Sequence, residues 1–127
     1  MVRALPFAFT LTARAENYLV GRPDLKDTVK RRQAYQKAGA DVLFAPGLTS
    51  KQDIVSVVNS LDRPVNVIMG LQGVRLSLAE LSEIGVKRIS VGSALSRAAL
   101  GAFLRAAREM KGLGNVRSFR ASQREGD

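Results

Sequence analysis

AYQKAGADVLFAPG, residues 34–47, and ELSEIGVKRISVGS, residues 80–93, share one order of parts. Each ends a helical pattern at a glycine (Gly39, Gly85), continues into a short apolar run, and closes with a turn containing glycine (Gly47, Gly92). A helix stop, a buried strand and a turn toward another helix make up the repeating part of a β/α unit. Working outward, four such runs appear: Phe7 to Ala13, Asp41 to Ala45, Pro64 to Met69 and Arg88 to Val91. They are too short and too rich in β-branched residues for helices, and few polar residues interrupt them, as expected of strands covered on both faces of a parallel sheet.

Helices are expected between the runs. Asp24 with Asp27 opens one that reaches about Ala38, with Leu25, Val29, Ala34, Tyr35 and Ala38 turned inward. Ser50 with Asp53 opens a second, whose apolar face is Ile54, Val57, Val58 and Leu61. Ser77 with Glu80 forms a capping box for a third, with Leu78, Leu81 and Ile84 inward and Gly85 as its stop. Ala98 to Met110 is the fourth, with Ala99, Ala102, Phe103, Ala106 and Met110 on one side. Alternation of this kind gives an α/β fold with right-handed crossovers, either a small open sheet or part of a (β/α)₈ barrel. Such a barrel usually takes about 250 residues, so four units in 127 residues make about half of one. After Lys111 the pattern lapses, and residues 112–127 read as a flexible basic tail.

Composition narrows the chemistry. There is no cysteine, histidine or tryptophan, and 20 Lys and Arg against 11 Asp and Glu leave a net charge of +9. A thiol nucleophile, a zinc site built on Cys or His and any histidine-based triad are therefore excluded for this chain. No apolar run approaches the roughly 20 residues that span a bilayer, so the chain is expected to be soluble and cytoplasmic. The basic residues are scattered, with Lys30-Arg31-Arg32 the densest group and Tyr35 the nearest aromatic, which argues against a nucleic-acid groove.

Ligands of parallel α/β folds sit at the carboxyl ends of the strands. The first end carries Arg14 and Glu16: the guanidinium can hold a carboxylate or phosphate, or simply pair with the neighbouring acid. Asn66 lies within the third run, as a ligand contact or as a satisfied core amide. Gly92 and Ser93 follow the fourth, where backbone amides and a helix N-terminus can receive an anion, or where the serine merely caps the helix. Glu16 is the only carboxylate at a strand end, too few for a metal without further ligands.

LTARAENYLVGRPDLKDTVKRRQAYQKAGADVLFAPG (11–47), PVNV (64–67) and GVKRISVGSALSRAALGAFLRAAREM (85–110) resemble the isocitrate lyase/phosphoenolpyruvate mutase superfamily, in particular its carboxyvinyl-carboxyphosphonate phosphorylmutase-like branch. The resemblance runs over residues 3–111 and implies the C-terminal half of a (β/α)₈ barrel. It also implies a magnesium-dependent lyase or mutase that makes or breaks C–C or P–C bonds of 2-oxo acids, either carboxylates or phosphonates. Family members carry their magnesium-binding acids and a mobile loop of Lys-Lys-Cys-Gly-His type in the first half, so the chain alone is expected to be inactive, with most metal ligands elsewhere. By resemblance Arg14 binds the substrate carboxylate or phosphonyl group and Glu16 is its acidic partner. Pro46 stands where lyase members have a substrate-contacting glutamate, which argues against isocitrate or 2-methylisocitrate. A truncated or frame-shifted reading frame is expected from both chain ends, and the exposed sheet edges of a half-barrel imply self-association. Two other readings stay open: a small phosphate-binding or aldolase-like α/β protein that uses the Gly92-Ser93 turn, and a non-catalytic interaction module that uses the basic surface.

Overall fold

The computed structural model describes residues 2–70 and 75–113. Four strands, β1 (Thr12–Arg14), β2 (Val42–Phe44), β3 (Val65–Ile68) and β4 (Arg88–Ser90), form one parallel sheet in the order 1-2-3-4. A short 3-10 turn (Val2–Ala4) precedes them, and α1 (Leu25–Lys37), α2 (Lys51–Asn59) and α3 (Leu78–Ile84) connect them. The last helix, α4 (Ala94–Leu113), follows β4. Parallel neighbours in chain order, each joined through a helix, are what a segment of a (β/α)₈ barrel contains. The chain divides into two compact units, Met1–Gly92 and Ser93–Asp127, so the boundary expected after residue 111 falls inside the second. Of the expected tail, Gly112 and Leu113 belong to α4 and the rest lies outside the described residues. No helix among the described residues is long and apolar enough to cross a membrane.

The helix starts are chemically specified. The Asp24 carboxylate accepts the Asp27 backbone N–H at 2.9 Å, and Ser50 Oγ accepts that of Asp53 at 3.4 Å. At α3 the box closes both ways: Ser77 N–H donates to Glu80 Oε2 at 2.8 Å and Glu80 N–H donates to Ser77 Oγ at 3.2 Å. These bonds occupy N–H groups that have no partner within the helix. The core lies between the helices and one face of the sheet, where Ile54 and Val57 of α2 and Leu81 of α3 meet Val65 and Val67 of β3. That geometry follows from the period of two in a strand and about 3.6 in a helix.

Four expectations change. The first strand begins at Thr12, because Thr12 stands in register with Val42 and the neighbouring chain before Asp41 is occupied by the turn at Gly39 and Ala40. Leu11 still accepts the Asp41 and Val42 N–H groups through its carbonyl, whereas residues 7–10 precede the pairing, and Phe7 and Phe9 are 62% and 49% exposed. On α1, Ala34 and Ala38 are exposed, whereas Thr28 and Arg32 are buried, since the stripe from Leu25 runs through positions 28, 32 and 35. Leu78, in the first turn of α3, is exposed. Finally α4 starts at Ala94 rather than Ala98, and Phe103 and Met110 are exposed.

Arg32 is the costly residue of the unit. It is fully buried, and among the described residues none of its guanidinium nitrogens has a hydrogen-bond partner. Burial pulls its pKa down to about 10, opposed only by nearby Tyr18. A cation displaced this far from its ordinary value costs about 3 kcal/mol while both states are charged. The folded pKa is lowered, so this cost is present below pH 10 and is relieved as pH rises through it toward the ordinary arginine value. Arg32→Met should stabilise the chain at pH 7 by about 2–3 kcal/mol in urea denaturation, and its advantage should shrink above pH 10. A destabilised Arg32→Met would show that the guanidinium has a compensating partner.

Candidate functional site

The register of the sheet builds the site. Arg14 pairs with Phe44, Phe44 with Asn66, and Asn66 with Arg88, so the four residues form one row across all four strands. Residues in register on neighbouring strands point to the same side. Val65 and Val67 face the helices, so Asn66 and its row lie on the opposite face of the sheet. Ile68 and Ser90, two positions further along and also in register, lie on that face too.

At one end of the row Arg14 Nε donates to Glu16 Oε1 at 2.7 Å, with both side chains about half exposed. Its guanidinium carbon stands 5.0 Å from the centre of the Phe44 ring, close enough for a cation–π contact that leans the side chain inward from the sheet edge. With Nε committed, the terminal nitrogens have no partner among the described residues and can make a bidentate anion contact. At the other end Arg88 Nη1 donates to Asn66 Oδ1 at 2.8 Å, and Asn66 Nδ2 donates to Ser90 Oγ at 3.1 Å. Asn66 is buried, and both ends of its amide are satisfied. The core-amide reading of Asn66 thus holds in its bonding, while the partner it holds is a cation on the open face.

The loop after β1 is fixed by several contacts. Ala15 N–H donates to Phe44 O at 2.9 Å, which extends the pairing past Arg14. Asn17 donates to Asp27, whose other contact is Arg31 Nε at 2.6 Å. Those two hydrogen bonds, Arg31's first, hold the Asp27 carboxyl below its ordinary pKa. Glu16, Asn17, Val20, Arg22 and Arg31 line an open recess of about 220 Å³ beside this loop. Gly47, at φ +92°, lets the turn after β2 press against it: a Cβ there would lie 2.8 Å from that of Tyr18. Only glycine takes that backbone conformation and that contact without strain.

Arg14 and Glu16 therefore sit together at a strand end, and Asn66 shares their row. Gly92 closes the first unit in the left-handed region (φ +52°), packed near Ile68. Ser93 begins the second, where its carbonyl accepts the Arg97 N–H at 2.9 Å and the Ser96 hydroxyl at 3.0 Å. Arg88 and Ser90 were not singled out by sequence reasoning, although the alternation around Ile89 places them on the face of Asn66. Magnesium does not fit the donors at hand: among the described residues no three His, Cys, Asp or Glu side chains gather, and Glu16 is engaged by Arg14.

A family model described as phosphoenolpyruvate phosphomutase matches residues 1–111. A crystal structure from Burkholderia cenocepacia J2315, provisionally described as a lyase/mutase, is 62% identical with a TM-score of 0.91, over 94% of this chain and 43% of that one. A 2,3-dimethylmalate lyase of the PEP mutase/isocitrate lyase superfamily is 28% identical with a TM-score of 0.69, over 84% of this chain and 38% of that one. An uncharacterised Mycobacterium tuberculosis protein (strain H37Rv) is 34% identical over 99 residues, 77% of this chain and 37% of its own length. The chain thus spans about two fifths of the length of these proteins.

The Asn66 amide bridges two strands, so its removal should be felt in stability. Asn66→Ala should cost about 2 kcal/mol in urea denaturation, from two lost hydrogen bonds and the donors and acceptors left behind. An unchanged midpoint would mean that the bridge contributes nothing.

Proposed function

Because the chain belongs to the phosphoenolpyruvate phosphomutase family, we propose that it forms the anion-binding half of a (β/α)₈ lyase/mutase and holds a 2-oxo acid by its carboxylate or phosphonate through Arg14. The observation that carries this reading is Arg14 itself. It stands at the carboxyl end of β1 with Glu16 on Nε, Phe44 beneath it, and its terminal nitrogens open. A guanidinium held by one hydrogen bond and one ring face is preorganised for a second, bidentate partner. Glu16 orients Arg14; Asn66 shares its row; Gly92 and Ser93 mark the fourth strand end.

What the chain contributes is binding and orientation. Among the described residues no three His, Cys, Asp or Glu side chains gather, so this half carries no ready-made magnesium ligand set. The metal and the bond-breaking step of the family belong, on this reading, to the rest of the barrel, and the isolated chain is inactive. The outer edges of β1 and β4 are where it associates, with another copy or with complementary strands.

The test is binding and turnover together. Pyruvate and oxaloacetate should bind the purified chain measurably by calorimetry, and Arg14→Met should weaken both at least about tenfold, the loss of a charged bidentate contact. Neither acid should be consumed faster with the chain than in a magnesium-containing blank without protein. Magnesium-dependent turnover by the chain alone would contradict the division of labour, and binding indifferent to Arg14→Met would contradict the role of the arginine.

A further inference from the structure

A second recess, of about 280 Å³, lies at the amino ends of β3 and β4. Val58 and Leu61, from the end of α2 and the turn after it, form its apolar wall with Pro64 and Val65. Val65 faces the helices, which sets this recess on the opposite side of the sheet from Arg14. Gly85, the left-handed stop of α3, completes the lining: a Cβ there would stand 3.3 Å from Val58 Cγ1. We propose that the recess binds a small monocarboxylic acid with an apolar tail, the tail against Val58, Leu61 and Pro64 and the carboxylate on Arg63 and Lys87. It shares no residue with the Arg14 site and is independent of the function proposed there.

The wall is apolar surface that the chain leaves partly uncovered. Val58 and Leu61 pack against the core and also line the recess, so each is only half-buried. A hydrocarbon that displaces water from such surface gains about threefold in affinity per methylene buried.

The charges decide which head group the tail carries. Arg63, Lys87 and Asp62 line the same recess, and among the described residues neither cation has an ion pair. Asp62 is already engaged: its carboxylate accepts Gln36 Nε2 at 2.8 Å, and its N–H donates to Gln36 Oε1 at 3.0 Å. That clasp ties the acid to α1. Asp41, the other acid that senses Arg63, is bonded to Arg3 and to the Leu11 N–H. Two cations and one acid leave a single positive charge at the recess, which a monoanion matches. Cations beside helix ends can also serve the carbonyls there. Here those carbonyls find partners locally: Val57 and Val58 accept the Ser60 and Leu61 N–H groups, and Leu81 and Ser82 accept those of Val86 and Gly85.

Titration of the ¹⁵N-labelled chain with hexanoate tests the assignment, with acetate as the head alone and hexanamide as the uncharged tail. The backbone amides of Leu61, Val65 and Gly85 should follow one saturation curve with hexanoate, about tenfold tighter than with hexanamide. Acetate should not saturate them, and butyrate, two methylenes shorter, should bind about tenfold more weakly than hexanoate. Arg63→Gln and Lys87→Gln should each weaken hexanoate about threefold, and the double variant about tenfold, to the hexanamide level. Arg14→Met should leave the curve unchanged. Both substituted cations are exposed, and urea midpoints measured alongside confirm that each variant is folded. Equal affinity for hexanoate and hexanamide would overturn the proposal, as would recess amides that do not move. A curve lost in Arg14→Met and untouched in the double variant would place the acid elsewhere and overturn it too.

Discussion

Parallel register is the constraint on which the rest of the molecule depends. Thr12 against Val42, Leu43 against Val65 and Asn66 against Arg88 fix which side chains share a face. With a side-chain period of two, a slip of one residue in any pair would exchange the faces of that strand. In the register observed, Val65 and Val67 meet Ile54, Val57 and Leu81, and the same arrangement delivers Arg14, Phe44, Asn66 and Arg88 as a single row on the other side. Core and site are thus two readings of one hydrogen-bonding pattern. This explains how the middle of β3 can hold a buried amide between two valines of the core.

The two faces have opposite needs. The helix side buries aliphatic groups and tolerates an uncompensated charge only at a cost, which Arg32 illustrates: it lies on the inward stripe of α1, fully buried, with no partner for its nitrogens among the described residues. The open side keeps its guanidiniums in contact with water: Arg14 is held by the Glu16 carboxylate and the Phe44 ring, Arg88 by the neutral Asn66 amide. The outer strands add a further demand. Parallel sheets are ordinarily covered and closed, and here β1 and β4 lie at the edges, with exposed Phe7 and Phe9 just before β1. The length ratio to the related proteins gives the same picture of a barrel segment.

Much of this was legible in the sequence, for local reasons. The caps at Asp24, Ser50 and Ser77 and the stop at Gly85 depend on side chains a few residues from the backbone they serve, so a reader of the chain can place three helices from them. The four apolar runs and their order needed no tertiary information either. The features that escaped reading are those set by a neighbour. The length of β1 is decided by where β2 begins, the burial of Arg32 by which stripe of α1 turns inward, and the partnership of Asn66 with Arg88 by a register between segments 22 residues apart. Arg14 with Glu16 was legible because the two are adjacent in the chain. Arg88 was not, because two basic residues at the start of a short run look like a solvated strand end until the row across the sheet is known.

The central claim is that Arg14 is the anion ligand of the row, and its guanidinium resonance reports on it directly. In a titration of the ¹⁵N-labelled chain with pyruvate, the account predicts that the Nε–H signal of Arg14 moves along a saturation curve. An Arg14 signal that stays unchanged while other resonances saturate would contradict it.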